Sequence, residues 1–253
     1  MGAVTAAINK KGENVVLQVA LMLTELKHRG TDVHGIATPN SMRLAKSIER
    51  IETENLNSNI ALGHNLSQIF FNEQSRMILS EKCAFIFEGH IFPSSNVSAV
   101  ETLLRKTKYD IQKNCASIIK EAEGSYVFGI ASSDNLMVGR DALGTTSLYY
   151  GENETTCAVA SERKALWKIG IKNVRSFPPG NLARIDANGF AFQPIRTIRQ
   201  PSIKSVDMDS AAKHLQNLLI ESTRKRVSDV KKVAIAFSGG LDSSVIAALA
   251  KLC

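Results

Sequence analysis

The chain has 253 residues, 44% hydrophobic and 22% charged, enough for one large domain or one domain with part of a second. Sixteen glycines and six prolines are too few for a disordered or fibrous chain, and no apolar run approaches the roughly 18 residues of a membrane helix, so no membrane partner is expected. Much of the net charge of +7 sits in residues 196–232, which hold nine Lys/Arg against four acids and no aromatic residue. Without a stacking platform for bases this stretch reads as a solvated face or linker, with a phosphate-attracting field as the second reading; no nucleic-acid partner is expected. The N-terminus lacks a basic region followed by an apolar stretch, and Ala6 stands where a myristoylation motif has Ser or Thr, so a cytoplasmic location is expected. Cys83, Cys115, Cys157 and Cys253 show no CxxC or Cys/His spacing and read as thiols of a reducing compartment rather than a zinc site.

In chain order, Gly2 to Asn9 reads as a strand. Val15, Val16, Val19, Ala20, Leu23 and Leu26 recur at helical spacing and predict an amphipathic helix ending near His28. Strands are expected at Ile60–Asn65 and Ala84–Ile91, and helices at Val97–Arg105 and Ile111–Ala122, the second opened by Asp110 and closed by Gly124. Further strands follow at Tyr126–Ser132, Leu136–Gly139, Leu148–Gly151 and Cys157–Ala160, then a hairpin of Leu182–Asp186 and Phe190–Gln193. This is the pattern of a layered α+β domain.

The texture changes after Pro194. A basic linker leads to a helix from about Met208 to Arg226, capped by Asp207 or Asp209, with Ala212, Leu215, Leu218 and Leu219 on one face. Val233–Phe237 is an unbroken apolar run of the kind a buried parallel strand shows. It passes through Ser238-Gly-Gly-Leu-Asp-Ser-Ser244 into an apolar helix, Val245–Leu252. One strand, loop and helix read as the beginning of an α/β domain.

The loop carries the most chemistry. Gly239 and Gly240 let the backbone turn and present N–H groups, while the helix that follows aims its positive end at the same point. Ser238, Ser243 and Ser244 add hydroxyls, and Asp242 is a helix cap or a magnesium ligand. No Gly-Lys-Ser/Thr follows, so this is not a Walker A loop. It resembles the pyrophosphate loop of the N-type ATP pyrophosphatases.

With the loop placed, the whole chain resembles the asparagine synthetase family. Leu26-Lys-His28-Arg29-Gly30-Thr-Asp32 is similar to that family's L-x-H-R-G-P-D segment, and Ala61-Leu-Gly63-His64 to its L-G-H strand. Phe87-Glu-Gly89-His-Ile91-Phe92 sits where the family has Y-N-G-E-I-Y. Gly139-Arg140-Asp141 through Leu148-Tyr-Tyr150-Gly151, Ala160-Ser161-Glu162-Arg-Lys164-Ala165-Leu166 and Phe177-Pro-Pro179-Gly180 follow in register. The resemblance implies a class II glutaminase-like domain over residues 1–194 with the four-layer αββα fold of N-terminal-nucleophile hydrolases. It further implies a linker over 195–210 and the first strand–loop–helix of an ATP pyrophosphatase domain over 211–253.

The departures cluster at one site. The family's nucleophilic cysteine follows the initiator methionine, where this chain has Gly2. Its substrate-binding arginine shortly after L-G-H is replaced in the Asn65-Leu66-Ser67 stretch, its oxyanion-hole asparagine is Glu88, next to Gly89, and its glutamate is His90. No catalytic residue is therefore assigned, and the glutaminase is expected to be inactive. The resemblance implies ATP and magnesium, with Phe237, Ser238, Gly239, Gly240, Leu241, Asp242 and Ser243 at the nucleotide. A carboxylate substrate, aspartate by family, would be activated as an acyl-AMP and then aminated by ammonia or through a partner. Two alternatives stand beside it: intramolecular amide formation of the β-lactam synthetase kind, and a non-catalytic module that dimerises or docks on a separate synthetase chain.

Other residues receive structural readings. His28 and Arg29 belong to a helix end with Asp32 as partner. His64 and His90 are core or rim histidines rather than metal ligands beside Glu88. Cys83 is a buried thiol, and Arg140 and Asp141 form an ion pair across a turn.

Overall fold

Strand β1 (Ala3–Asn9) is buried along its whole length because both of its faces are covered. A computed structural model describes residues 2–67, 76–81, 83–92, 111–199, 205–227 and 232–253. Along β1 the side chains alternate between two cores: Val4, Ala6 and Ile8 face one, Ala3 and Ala7 the other. β1 pairs antiparallel with β4 (Ile60–Leu66) and β10 (Thr156–Ala160). Beyond β4 the sheet continues through β2 (Val33–Thr38) to β3 (Ser41–Ala45), and beyond β10 through β9 (Tyr149–Glu152) to β11 (Arg175–Ser176). A second antiparallel sheet has the order β13 (Gly189–Pro194), β12 (Asn181–Asp186), β8 (Leu136–Arg140), β7 (Glu123–Ala131), β6 (Ala84–Phe92), β5 (Met77–Leu79).

The sheets face each other through Val4, Ile8, Ile60 and Leu62 on one side and Ile86, Val127, Val138 and Ile185 on the other. The outer face of the first sheet is built from small residues, Ala3, Ala7, Ala61, Ala158 and Ala160, so helices can lie close to it. Helices α1 (Val16–Glu25) and α3 (Arg163–Lys168) do so through Val16, Val19, Leu23, Ala165 and Leu166. Gly63 marks the tightest approach. A Cβ there would lie 2.7 Å from Val19 and 2.9 Å from Leu23. The outer face of the second sheet is aromatic: Phe85, Phe87, Tyr126 and Phe128 stack at centroid spacings of 6.0 to 6.4 Å and bury Cys115, Ile118 and Ile119 of α2 (Ile111–Glu121). Helix, sheet, sheet and helix make the expected four layers. The helix expected at Val97–Arg105 lies outside the described residues.

Helix α4 (Met208–Val227) begins as read from the sequence, with the Ser210 N–H donating to Asp207 Oδ1 at 2.9 Å. Its far end is tied to the sandwich by Lys225 on Glu123 at 2.9 Å and by Arg226 over the Phe92 ring at 4.6 Å. No described helix is long and apolar enough to cross a membrane.

One expectation is corrected here. Val233–Phe237 is not a buried strand: residues 232–238 have no ladder partner, and Val233 and Phe237 are 49% and 62% exposed. A parallel strand needs neighbours in its own sheet, and the described residues supply none. Helix α5 (Leu241–Leu252) follows and packs on α4, leaving Leu215, Leu218 and Leu252 exposed. On a monomeric sample, hydrogen exchange is expected to be far faster at Val233–Phe237 than at the amides of β1 or β7. Protection there comparable to the sandwich would show that this segment finds a sheet within the chain.

Candidate functional site: a buried carboxylate beside Gly2

The start of β1 and the middle of β6 meet where the sheets open toward solvent. Glu88, on β6, is only 6% exposed. Its Oε1 accepts the Gly2 N–H at 2.7 Å, and its Oε2 lies 3.1 Å from His64 Nε2 on β4 and 3.6 Å from Arg76 Nη1. A carboxylate only accepts, so the His64 ring presents Nε2–H to it. Burial alone would raise the Glu88 pKa. The hydrogen bond and field of His64, the charge of Arg76 and the Gly2 N–H outweigh it and hold the carboxyl down at about 2. At neutral pH this group is an anion.

Glu88 also fills the space in which a side chain at position 2 would stand. A Cβ on Gly2 would fall 2.6 Å from the Asn65 carbonyl oxygen, 2.9 Å from Glu88 Cδ, and closer still to Glu88 Oε2. Glycine and glutamate are therefore a matched pair.

A cavity of about 360 Å³ opens in front of this pair. Gly2 lies behind it, and Leu66, Glu88, Gly89 and His90 line it, so the residues singled out from the sequence do converge. Leu66 is itself buried within β4, and the His90 ring stacks on Phe92 at the rim, 6.5 Å between centroids. Gly89 has φ +119°, and a Cβ there would overlap the Ser125 carbonyl oxygen of β7. Sequence reasoning missed Arg76, which precedes β5 and reaches the cavity with Nη1 donating to the Gly89 carbonyl at 3.0 Å. The contacts of Arg29 across the fold carried no sequence signal either. Arg29 Nε donates to the Gly2 carbonyl at 3.0 Å and its Nη1 to Glu162 at 3.3 Å. His28 meets the same Glu162 at 2.8 Å. Burial would raise the Glu162 pKa, but His28 and Arg29 more than compensate and lower it.

One further reading changes. Arg140 and Asp141 do not form an ion pair. The Arg140 guanidinium donates to the carbonyls of Thr146 and Phe177 at 2.8 and 2.6 Å, while the Asp141 carboxylate takes the N–H groups of Leu143 and Gly144 at 3.0 and 2.8 Å. The two side chains hold the β8–β9 loop by binding backbone instead. Cys83 joins the core beneath α2, where burial pushes its thiol up. Among the described residues no cluster of three or more His, Cys, Asp or Glu is placed to hold a metal ion.

None of the residues 238–244 of the carboxy-terminal loop lines this cavity. Gly239 has φ +79°, a backbone that a side-chain-bearing residue rarely adopts. The hydroxyls of Ser243 and Ser244 donate to the Gly240 carbonyl at 3.1 and 2.8 Å, which closes the turn as α5 begins. Asp242 stands in the first turn of α5.

Residues 1–173 match the glutamine amidotransferase domain family. The chain belongs to that family. Residues 214–253 match the asparagine synthase family. Two curated relatives align over most of the chain. A Methanocaldococcus jannaschii protein named asparagine synthetase [glutamine-hydrolyzing] 1 is 27% identical over 91% of this chain, and Escherichia coli asparagine synthetase B is 26% identical over 92%. The alignments cover 48% and 41% of those two proteins, so the chain spans less than half of either. Among solved structures, glutamine phosphoribosylpyrophosphate amidotransferase of Bacillus subtilis, complexed with ADP and GMP, matches with a TM-score of 0.64 at 17% identity. That match covers 98% of this chain and 64% of the neighbour. At such identity the likeness is one of fold. The resemblance to asparagine synthetases read from the motifs thus extends over most of the chain.

Proposed function

We propose that this chain is the amidotransferase-like half, with the opening of the synthetase half, of an asparagine synthetase-type protein whose amino-terminal domain no longer hydrolyses glutamine. The observation that carries this reading is the Glu88 carboxylate bound to the Gly2 N–H. A glutaminase of this type needs a thiol on residue 2 and neutral donors facing the oxyanion. Here residue 2 has no side chain, and an anion occupies the place where negative charge would develop.

The loop at Ser238–Ser244 supports the second part of the reading. Its positive-φ glycine and the N-terminus of a twelve-residue helix suit a phosphate group. In the proposed reaction a carboxylate attacks the α-phosphate of the substrate MgATP, giving an acyl-AMP and releasing pyrophosphate, and ammonia then attacks the acyl carbon and displaces AMP to leave the amide. Ser238, Gly239, Gly240, Leu241 and Ser243 would orient the pyrophosphate, the Phe237 backbone would lie near the nucleotide, and Asp242 would help hold the magnesium ion. With the glutaminase lost, nitrogen would come from free ammonia or a partner.

Two assays test the two parts. Glutamine is expected to give glutamate only at background, and sustained hydrolysis would overturn the first part. Equilibrium dialysis is expected to show weak MgATP binding that falls further in Gly239→Val, which strains the turn, and in Asp242→Ala. Sub-micromolar affinity that survives both substitutions would show that the loop is not the site.

A further inference from the structure

We propose that the cavity in front of Gly2 is a binding site for a small oxyanion-bearing metabolite, an organic acid or a phosphate, which it holds without cleaving. The inference rests on the loss of glutaminase chemistry argued above and assigns the vacated site a different ligand. Its basis is the inventory of groups facing about 360 Å³ of space, a volume at the small end of metabolite pockets.

That inventory is rich in donors. Arg29 and Arg76 bring two guanidinium groups, and Ser67, Ser125, Thr145, Thr146 and Ser147 bring hydroxyls. Glu88, the one carboxylate among the described lining residues, is held at the Gly2 end of the cavity by Gly2, His64 and Arg76, so it opposes negative charge there while the two guanidinium groups and the hydroxyls outnumber it over the rest of the space. Arg29 uses Nε on the Gly2 carbonyl and Nη1 on Ser147 and Glu162, while its Nη2 makes no hydrogen bond among the described residues. A planar guanidinium anchored through Nε and Nη1, with the Nη2 amino group uncommitted among the described residues, suits an incoming carboxylate or phosphate oxygen. The hydroxyls of Ser125 and Thr146, 2.9 Å apart, form a polar wall that can reorient its protons toward an acceptor. No thiol faces the cavity among its described lining residues, and a carboxylate or phosphate offers the Ser and Thr hydroxyls no activated leaving group to displace, so a bound acid would leave unchanged.

The experiment is titration of the whole chain by calorimetry and thermal shift, with L-glutamate, succinate and inorganic phosphate as probes and L-glutamine as the neutral-amide comparison. At least one anion is expected to bind saturably and to raise the melting temperature. Affinity is expected to fall at least tenfold in Arg76→Leu and in His90→Glu, which places a carboxylate at the rim. His90→Glu guards against a folding artefact, since it alters the mouth and leaves the buried Gly2–Glu88 pair intact. Preference for phosphate would identify the ligand class as phosphate, and preference for glutamate or succinate as carboxylate. Absence of saturable binding by every anion, or binding unchanged in both variants, would overturn the inference. Neither result touches the glutaminase reading, which falls only if glutamate is released from glutamine.

Discussion

Glu88→Gln is expected to destabilise the sandwich by about 3–5 kcal/mol at neutral pH, the usual cost of removing one member of a buried, hydrogen-bonded charge cluster. The carboxylate accepts from Gly2 and His64 and balances Arg76, and all three would remain when it is gone. An amide carries one acceptor oxygen and turns an NH₂ group toward one of these donors, so shape is kept while the pairing is broken. The pH dependence gives an independent reading. The Glu88 pKa is lowered from an ordinary 4.5 to about 2, so its stabilisation is complete above the unfolded value and is lost as pH falls through the folded one. A displacement of that size corresponds to about 3 kcal/mol. Urea unfolding of the wild type should weaken between about pH 5 and pH 2 more steeply than that of Glu88→Gln, and the two curves should converge in acid. A stability gap that stays constant over this range would mean that the carboxylate contributes shape and not charge.

The sandwich was largely legible because its strands and helices carry strong local patterns. The apolar spacing from Val15 to Leu26 returned as α1, and the run from Tyr126 to Ala131 returned within β7. The elements that escaped are those whose patterns are weak or short. β2 reads Val-His-Gly-Ile-Ala-Thr, where a glycine and two polar residues blur the alternation, and it is a strand because β3 and β4 flank it. α3 is six residues long and β11 only two, and each exists by packing on β9 or β10. Val233–Phe237 failed in the other direction. Its apolar run is a strand signal, but a strand is a property of a pair. At the site, the sequence pointed to positions 2, 88 and 90 because motifs flank them. It could not show that Gly2 and Glu88 touch, since 86 residues separate them. Arg76 carried no signal at all, lying outside every motif and reaching the cavity only through the position of β5.

That contact decides what Gly2→Cys should do. A cysteine at this position alone is expected to leave glutamate release at background and to lower stability by about 1–3 kcal/mol, the range for forcing atoms into a filled site. The new Cβ would collide with the Asn65 carbonyl and with Glu88, so the side chain can enter only by displacing a carboxylate held by Gly2, His64 and Arg76. If the thiol were accommodated, its attack would raise an oxyanion beside an anion. Losing one oxyanion donor costs about 3 kcal/mol in an active enzyme, roughly a hundredfold in rate, and a charge of the wrong sign costs more. Adding Glu88→Asn should relieve the clash with the side chain and the charge at the oxyanion, leaving only the contact with the Asn65 carbonyl. The Gly2→Cys/Glu88→Asn pair is therefore expected to be more stable than the sum of its single variants allows, a coupling that a double-mutant cycle reads directly. Additive stabilities would show that the two positions are independent. Glutamine hydrolysis in Gly2→Cys alone, a hundredfold above the wild type, would show that the carboxylate at position 88 is no barrier to the chemistry.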